Sequence, residues 1–356
     1  MRPNSHGLIT AAMFLILLSD IYAAAGPVRN PTVPTGATRQ QRISNGAGAS
    51  PPNSATPGYI VDAAWPRKPD GFKWGQMPGV TVDAQDQVYI FTRSQPAVQV
   101  YQADGKFLRA WDMEDSAGAH FIRVGPDGNV WTADIKNHVV CKYSPAGRLL
   151  LTLGEAGRAG TDHRHFDKPT DMAVLPTGDI FVTDGYGNRR VIHFDAAGKY
   201  VNQWGEAGSK PGQFALPHSI VADSKRRLYV ADRENARIQV FDTTGKLLAV
   251  WADLVTPWGL WLTKNDEIWV CGSSAVRKDV PDEAGEWVVT PPPDQVVMKL
   301  SQKGEVLLRL PLQKTTVPPG KPGQLDWVHG IALDSQGNLY LTDIQDKRAQ
   351  KFLRQP

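Results

Sequence analysis

One pattern occurs six times along this chain, and the repetition restricts its fold more than any other feature. Each copy contains an apolar strand, a polar turn rich in Gly, Asp or Asn, a second strand and a third alternating strand. Such a unit is a small antiparallel meander. The copies begin near Pro78, His120, Thr170, Leu216, Trp258 and His329. A proline-rich insertion at residues 273–293 interrupts the fifth copy.

A single meander cannot bury its own apolar face, but six meanders arranged in a ring can. The chain has 356 residues, 41% of them apolar, which is enough for one large core. We therefore predict an all-β fold, a six-bladed β-propeller over residues 59–356, whose units resemble NHL-type repeats. An open β-solenoid is the competing architecture, although its repeats are usually shorter and lack this three-turn rhythm.

The first 58 residues differ in composition from the repeats. Arg2, an apolar run from Leu8 to Leu18 and three small residues before Gly26 predict a secretory signal peptide over residues 1–25. The run is shorter than the roughly 20 apolar residues of a membrane-spanning helix, so cleavage is favoured over a retained anchor. Residues 26–58 are rich in Pro, Ser, Thr and Gly and predict a flexible linker. We expect an exported protein, secreted or periplasmic, without stable membrane insertion.

The charge pattern argues against nucleic acid as a partner. The net charge of +3 comes from 39 basic and 36 acidic residues, with no long basic run. A small-molecule or peptide-like partner is expected instead.

The two cysteines are predicted to be unpaired. Cys141 lies in the second repeat and Cys271 in the fifth, which face each other across a six-membered ring. A disulfide requires a Cα separation of about 6 Å, so we expect two buried thiols.

Histidine occupies one equivalent position in alternate repeats. The position lies 14 residues before the end of the second strand, and its occupants in repeat order are Pro78, His120, Thr170, His218, Trp258 and His329. Alternate blades are about 120° apart around the channel, so the three imidazoles can converge on one point. Three neutral imidazoles suit zinc and leave a fourth position open, which is typical of catalytic sites. Ordinary histidines lining a polar channel are the competing interpretation.

The remaining histidines lack this alternation, and we expect solvated or structural roles for them. They are His6, His138, His163, His165 and His193.

The residues after the second strand are partly shared between repeats and partly not. A strand-ending aspartate recurs at Asp134, Asp184, Asp232 and Asp343, and we predict that it is scaffold. Arg93 and Arg233 occupy one unshared position in blades one and four, and a longer turn in blade three presents Tyr186. Arginine offers a rigid fork for a carboxylate, and a phenol beside a metal can act as a base. Solvated arginines and a packed tyrosine are the competing interpretation, but the matched positions beside a predicted metal site favour these three as the catalytic residues.

Three segments carry a resemblance to a known family: FDKPTDMAVLPTGDIFVTDGYGNRRV from Phe166, YVNQWGEAGSKPGQFALPHSIV from Tyr200 and LYVADRENARIQVF from Leu228. They closely resemble the peptidyl-α-hydroxyglycine α-amidating lyases, and the resemblance extends over essentially the whole propeller. It implies that the family's zinc-binding histidines, catalytic tyrosine and two substrate-handling arginines fall on His120, His218, His329, Tyr186, Arg93 and Arg233. The implied reaction cleaves the C–N bond of a peptidyl-α-hydroxyglycine, or a related α-hydroxy amide, to a peptide amide and glyoxylate.

The sequence departs from the family pattern in three respects. The family has an aspartate directly after its third histidine, associated with a structural calcium ion, whereas this chain has Gly330 there. Family cysteines are replaced by Gly187, Tyr229 and Val240, which removes the family's disulfides. The copper monooxygenase that makes the hydroxyglycine is not in this sequence, so its substrate is expected from elsewhere or is a different one.

Two other functions compete with the lyase. A non-catalytic NHL propeller would bind a protein or glycan on its top face, but it gives no reason for histidine in alternate repeats. A lactonase-like propeller usually holds calcium with Glu, Asp and Asn, and imidazoles are poor calcium ligands. A zinc lyase acting on a different α-hydroxylated amide or ureido acid stays open.

Overall fold

The computed structural model describes residues 58–274 and 294–356. The predicted signal peptide, residues 1–25, the predicted linker up to residue 57 and residues 275–293 of the insertion lie outside the described residues. Within the described part of the chain, no helical segment has the length and hydrophobicity that a membrane crossing needs.

Six sheets, each built on four antiparallel strands, form a closed ring. The first strand of the chain, β1 (Tyr59–Asp62), belongs to the last blade. Blade one contains β2 (Gly79–Val82), β3 (Val88–Phe91), β4 (Val98–Tyr101) and β5 (Phe107–Trp111). Blade two contains β6 (Ala119–Val124), β7 (Val130–Asp134), β8 (Val139–Tyr143) and β9 (Leu149–Leu153). Blade three contains β10 (Asp171–Val174), β11 (Ile180–Asp184), β12 (Arg190–Phe194) and β13 (Tyr200–Trp204).

The second half of the ring follows the same order. Blade four contains β14 (Pro217–Ala222), β15 (Leu228–Asp232), β16 (Arg237–Phe241) and β17 (Leu247–Trp251), with a short 3₁₀ helix (Arg233–Asn235) after β15. Blade five contains β18 (Thr256–Leu262), β19 (Ile268–Ser273), β20 (Gln295–Leu300) and β21 (Val306–Lys314), to which β22 (Gln324–Leu325) adds in parallel. Blade six contains β23 (Val328–Leu333), β24 (Leu339–Asp343), β25 (Arg348–Arg354) and β1. The predicted six-bladed propeller is confirmed, and the solenoid is excluded.

The innermost strands contact one another around the whole ring, in the order β2, β6, β10, β14, β18, β23 and back to β2. Two residues after each histidine-equivalent position, the inner strand places one buried apolar side chain between neighbouring blades. These side chains are Val80, Ile122, Met172, Ile220, Leu260 and Ile331, and each belongs to a different one of the six apolar clusters. The period-2 alternation of a strand thus directs one set of residues into the core and the other into the channel.

In blade four the recurring aspartate, Asp232, bonds both to the segment that enters the blade and to the turn that follows it. Asp232 Oδ1 accepts hydrogen bonds from the backbone N–H groups of Ala215 and Leu216 at 2.9 and 3.1 Å. Its Oδ2 accepts from Asn235 Nδ2 and from Arg237 Nε at 2.7 and 2.8 Å. Both carboxylate oxygens are therefore fully occupied by chain contacts, in agreement with the scaffold role predicted for this residue.

Cys141 and Cys271 are both unpaired and buried, as predicted. Burial raises the pKa of the Cys271 thiol to about 12, and its Sγ donates to the carbonyl of His329 at 3.3 Å.

The ring is closed by a strand that the repeat pattern did not reveal. β1 pairs antiparallel with β25, from Tyr59 opposite Arg354 to Asp62 opposite Lys351. Tyr59 is 5% exposed, packs in the apolar cluster of the last blade and donates its hydroxyl to the carbonyl of Gly337 at 3.1 Å. The first repeat identified from the sequence begins at Pro78, so it omits this four-residue strand.

We expect Tyr59→Ala to lower the free energy of unfolding by about 3 kcal/mol, because a large buried side chain is removed from the strand that closes the ring. Ile60→Ala is the matched control: Ile60 is adjacent on the same strand but 48% exposed, so its change should have little effect. Chemical denaturation of both variants tests this. Equal losses for both residues would contradict the role assigned to Tyr59.

Candidate active site

His120, His218 and His329 converge at one end of the channel. One ring nitrogen from each lies within 4.8 Å of the others, and all three side chains are buried. Their ring centroids are 4.8 Å apart in every pair. Among the described residues, no other cluster of three or more His, Cys, Asp or Glu could hold a metal ion.

Each of these histidines lies at a bulge of its inner strand. The register shifts between Ala119 and Ile122 in blade two, across His218 in blade four and across His329 in blade six. A bulge re-aims the side chain at the extra residue, here towards the channel axis. Trp258 lies at the corresponding bulge of blade five.

The second nitrogen of each imidazole is bonded to the next blade. Nδ1 of His120 contacts the carbonyl of Thr170 at 2.7 Å, Nδ1 of His218 that of Trp258 at 2.5 Å, and Nδ1 of His329 that of Pro78 at 2.7 Å. A carbonyl only accepts, so each Nδ1 carries the proton. Each Nε2 is left with a free lone pair, which is the arrangement of a metal-binding histidine.

Burial keeps the three imidazoles neutral. It is the largest cause that lowers the pKa of His120 and His218 well below the ordinary value and that of His329 to about 3. The positive charges of Arg93 and Arg233 act in the same direction on His120 and His329. Neutral imidazole is the form that binds a metal.

Tyr186 lies directly over two of the histidines. Its Oη is 3.2 Å from Nε2 of His120 and 3.3 Å from Nε2 of His218. Arg233 Nη1 donates to the same Oη at 3.3 Å, and its guanidinium also lies 5.5 Å from the centre of the phenol ring. Arg233 is 9% exposed and additionally paired with Glu234 at 2.9 Å.

Arg93 lies at the same end of the channel, in blade one. Its Nε donates to the carbonyl of Ala119, the residue before His120, at 3.0 Å, and its Nη1 donates to Gln76 Oε1 at 2.6 Å. Burial lowers the pKa of the Arg93 guanidinium from its ordinary value. The structure thus brings all six residues singled out in the sequence to one end of the channel.

Two tryptophans form the opposite side of this end. The ring of Trp258 lies 6.3 Å from the ring of His329, and the ring of Trp327 packs edge-on against that of Trp258 at 4.5 Å. Trp258 is buried and Trp327 half-buried. We call Trp258 and Trp327 the tryptophan pair. Arg233 lies 5.7 Å from the Trp258 ring, so this guanidinium separates the pair from Tyr186.

Phe121 closes the channel beneath the histidines. Its ring lies 5.1 Å from that of His329 and 5.7 Å from that of His218. Blades one, five and six have glycine at the equivalent position: Gly79, Gly259 and Gly330. The sequence pattern alone gave no reason to single out Phe121.

A buried ion pair lies next to Phe121. Arg123 Nε and Nη2 donate to the two carboxylate oxygens of Asp171 at 3.0 and 2.5 Å. Ser219 Oγ donates to Asp171 Oδ2 at 2.7 Å, and Arg123 Nη1 donates to the carbonyl of Leu260 at 3.0 Å. This network joins four blades and is fully hydrogen-bonded, so we call it the channel floor. A charged residue in the apolar inner strand HFIRV was the signal that could have revealed it.

The structural calcium ion implied by the family resemblance would lack its aspartate ligand in this chain, because Gly330 has no side chain. A Cβ atom on Gly330 would lie 2.5 Å from Thr342 Oγ1 and 2.9 Å from the carbonyl of Pro78, so there is no room for an aspartate. The positive charge of Arg123 already lies in the channel, paired with the acidic group Asp171.

A large cavity lies away from the histidines. It has a volume of about 1850 Å³ and is lined by the turns that follow the inner strands, for example at Asp83, Asp127 and Asp223. None of the six site residues lines it. The channel floor and Phe121 lie between this cavity and the histidine cluster, so we assign the chemistry to the end that contains the histidines.

The other histidines in the described residues have local contacts. His165 bonds to Asp162 and Glu155 at 2.9 and 3.0 Å, and His193 bonds to Asp179 at 2.7 Å. His138 accepts from the backbone N–H of Lys168 at 3.0 Å, and His163 is exposed. These contacts agree with the structural or solvated roles predicted, while His6 lies outside the described residues.

Comparison with known proteins identifies the repeats and several relatives. The NHL repeat model matches residues 166–194 and 214–241. The chain is 35% identical to NHL repeat-containing protein 3 of Mus musculus over 323 residues, which cover 83% of this chain and 84% of that protein. It is 31% identical to peptidyl-alpha-hydroxyglycine alpha-amidating lyase 1 of Drosophila melanogaster over 220 residues, 51% of this chain and 40% of that protein.

Two further matches differ in extent. The chain is 37% identical over 205 residues to the peptidyl-glycine alpha-amidating monooxygenase of Mus musculus, 48% of this chain, and the match spans only 21% of that longer protein. Among solved structures, a streptogramin B lyase superposes with a TM-score of 0.57 at 14% identity, covering 85% of this chain and 100% of that one. At that identity the likeness concerns the fold alone.

We expect Arg123→Met to lower the free energy of unfolding by about 3–5 kcal/mol, because Asp171 would remain buried without its cation. Urea denaturation measures the loss. The double variant Arg123→Met, Asp171→Leu removes both charges and should recover most of it. A single variant as stable as the parent protein would show that the ion pair does not support the ring.

Calcium should not stabilise the folded chain, because Gly330 leaves no room for the family's aspartate. The melting temperature is expected to be the same in about 1 mM calcium and in a calcium chelator. A rise of several degrees with calcium, absent with magnesium, would contradict this.

Proposed function

Because the chain belongs to the NHL-repeat propeller family that includes NHL repeat-containing protein 3 and the peptidyl-α-hydroxyglycine α-amidating lyases, we propose that it is a zinc-dependent lyase. The proposed reaction cleaves the C–N bond of a peptidyl-α-hydroxyglycine, or a related α-hydroxy amide, to a peptide amide and glyoxylate. One observation carries the proposal: Tyr186 Oη lies within hydrogen-bond distance of two histidine nitrogens and of Arg233.

The three histidines suit zinc better than other common ions. Neutral imidazole nitrogens are good zinc ligands and poor calcium or magnesium ligands, and three of them leave a position for substrate. When bound, zinc supplies Lewis acidity that polarises a hydroxyl oxygen and eases loss of its proton. His120, His218 and His329 would hold it through Nε2, since each Nδ1 is already bonded to a backbone carbonyl.

Tyr186 is the proposed general base. In the reaction Tyr186 acts as the phenolate: the α-hydroxyl proton passes to its Oη, the hydroxyl oxygen forms the carbonyl of glyoxylate, and the C–N bonding electrons leave with the amide nitrogen. Tyr186 returns the proton to that nitrogen, so neither water nor another acid is consumed. Its Oη lies beside the Nε2 atoms of His120 and His218, which would hold the zinc ion that polarises the hydroxyl.

The two arginines are the proposed carboxylate and charge-stabilising groups. Arg233 contacts Tyr186 Oη directly, so its charge lies where negative charge passes during proton transfer. Arg93 lies on the other side of His120 and offers a second guanidinium for the substrate carboxylate. Together they favour a substrate with a C-terminal acid, as peptidyl-α-hydroxyglycine has. We also propose export, on the basis of the predicted signal peptide over residues 1–25.

A non-catalytic binding propeller is the second candidate. It is favoured by one observation: NHL repeat-containing protein 3, whose name states no activity, matches the chain over 84% of its own length. The two candidates differ in what they require of Tyr186, because a binding platform needs no base there.

We expect the purified protein to contain zinc and to release glyoxylate from an α-hydroxyglycine peptide. Tyr186→Phe should lower kcat about 100-fold or more, because the base is lost, while the zinc content is unchanged. Tyr200→Phe, on an outer strand of the same blade, is the matched control and should match the parent enzyme. Glyoxylate assay and metal analysis of the three proteins provide the measurements.

His218→Ala tests whether the reaction depends on the metal. It removes one of the three proposed ligands and should abolish both zinc binding and glyoxylate release. Zinc that binds equally well after this change would overturn the assignment of the site. Zinc present without glyoxylate release from any hydroxyglycine peptide would leave the metal site in place and overturn the proposed substrate, in favour of another amide or of the binding propeller.

A further inference from the structure

We propose that the tryptophan pair is a subsite for an aromatic or large apolar side chain on the residue that precedes the hydroxyglycine. This inference rests on the proposed function and deepens it, because it names the class of peptide that the site selects. The amide product would then end in such a residue.

The end of the channel that contains the histidines has two chemically different sides. Tyr186 and Arg233 project from blades three and four and face the histidines with polar groups. From blades five and six the corresponding contacts are aromatic, since the Trp258 ring lies 6.3 Å from His329 and Trp327 packs on Trp258 at 4.5 Å. The site is therefore polar on one side and apolar on the other.

Trp258 reaches the channel for the same reason as the histidines. It occupies their equivalent position in blade five, and it lies at the same kind of strand bulge. Its carbonyl accepts the Nδ1 hydrogen of His218, which any residue could supply. The indole itself is thus not needed for the histidine geometry, and a role in contacting substrate accounts for it.

Among the described residues, the position directly after the second strand has no long polar side chain in blade five. Blades one and four have Arg93 and Arg233 at this position, whereas blade five has Ser273, a short and buried side chain. Trp327 precedes the inner strand of blade six and is only half-buried, so part of its ring stays accessible. An apolar substrate group can cover that part of the indole and remove it from water.

The substrate fits these two sides in one orientation. Its carboxylate and hydroxyl belong on the polar side, with the arginines, Tyr186 and the histidines. The remaining substituent of the reacting carbon is the amide nitrogen, which carries the preceding residue and therefore leads towards the tryptophan pair. Arg233, 5.7 Å from the Trp258 ring, disfavours a lysine or arginine side chain there by like-charge repulsion.

The test compares three peptides that differ only in the residue before the hydroxyglycine: phenylalanine, alanine or lysine. We expect kcat/KM to be about tenfold higher for phenylalanine than for alanine, and lowest for lysine. Trp327→Ala should bring the phenylalanine-to-alanine ratio close to one, and Trp327→Phe should largely restore it. Trp111→Phe, on an outer strand of blade one, is the control that should keep the parent ratio.

The outcomes distinguish this inference from the proposed function. Glyoxylate released from all three peptides at similar rates would overturn the subsite and keep the lyase. If Trp327→Ala lowers kcat/KM equally for the phenylalanine and alanine peptides, at unchanged zinc content, Trp327 only positions its neighbours. That result would also overturn the subsite. No glyoxylate from any peptide would overturn the lyase itself, and the subsite with it.

Discussion

The site depends on three hydrogen bonds that run from imidazole to backbone between neighbouring blades. Each donor histidine is followed around the ring by a blade whose backbone carbonyl accepts the Nδ1 hydrogen, at Thr170, Trp258 and Pro78. A carbonyl is present whatever the side chain, so the three acceptor positions are free to vary in residue type. That freedom explains why a proline, a threonine and a tryptophan occupy them. It also means that the orientation of each imidazole is set by how closely the blades pack, because the acceptor belongs to the main chain of the neighbouring sheet.

Repetition made most of this site predictable from sequence. A constant spacing of 14 residues aligned His120, His218 and His329, and the unshared turn residues led to Arg233 and Tyr186. The residues that the repeats share, and those that differ between repeats, can be identified from the sequence alone. The bulges that orient the imidazoles cannot be identified in this way, because they are shifts of register within strands whose sequence looks regular. The closing strand β1 was not predicted for a different reason. Its four residues are too few to show a clear alternation, and its partner strand, β25, is distant in the sequence.

The channel floor depends on contacts between residues that are distant in the sequence. Arg123 and Asp171 are 48 residues apart, and the sequence around either residue does not indicate that the two are paired. Only the ring brings inner strands of four blades within reach of one guanidinium. Such a buried pair is costly unless every donor and acceptor is used, and here Asp171 accepts from Arg123, from Ser219 and from backbone N–H groups. The floor thus joins blades two, three, four and five across the channel, next to the histidine cluster.

Closure of the ring by β1 also has a consequence for the order of synthesis. The last blade combines the first described strand with the last three, so it cannot form until nearly the whole chain has left the ribosome. His329 lies in that blade, whereas His120 and His218 lie in blades that can be completed earlier. The cluster of three histidines is therefore complete only when the last blade has formed. A chain that stops before blade six lacks His329 and contains only two of the three residues.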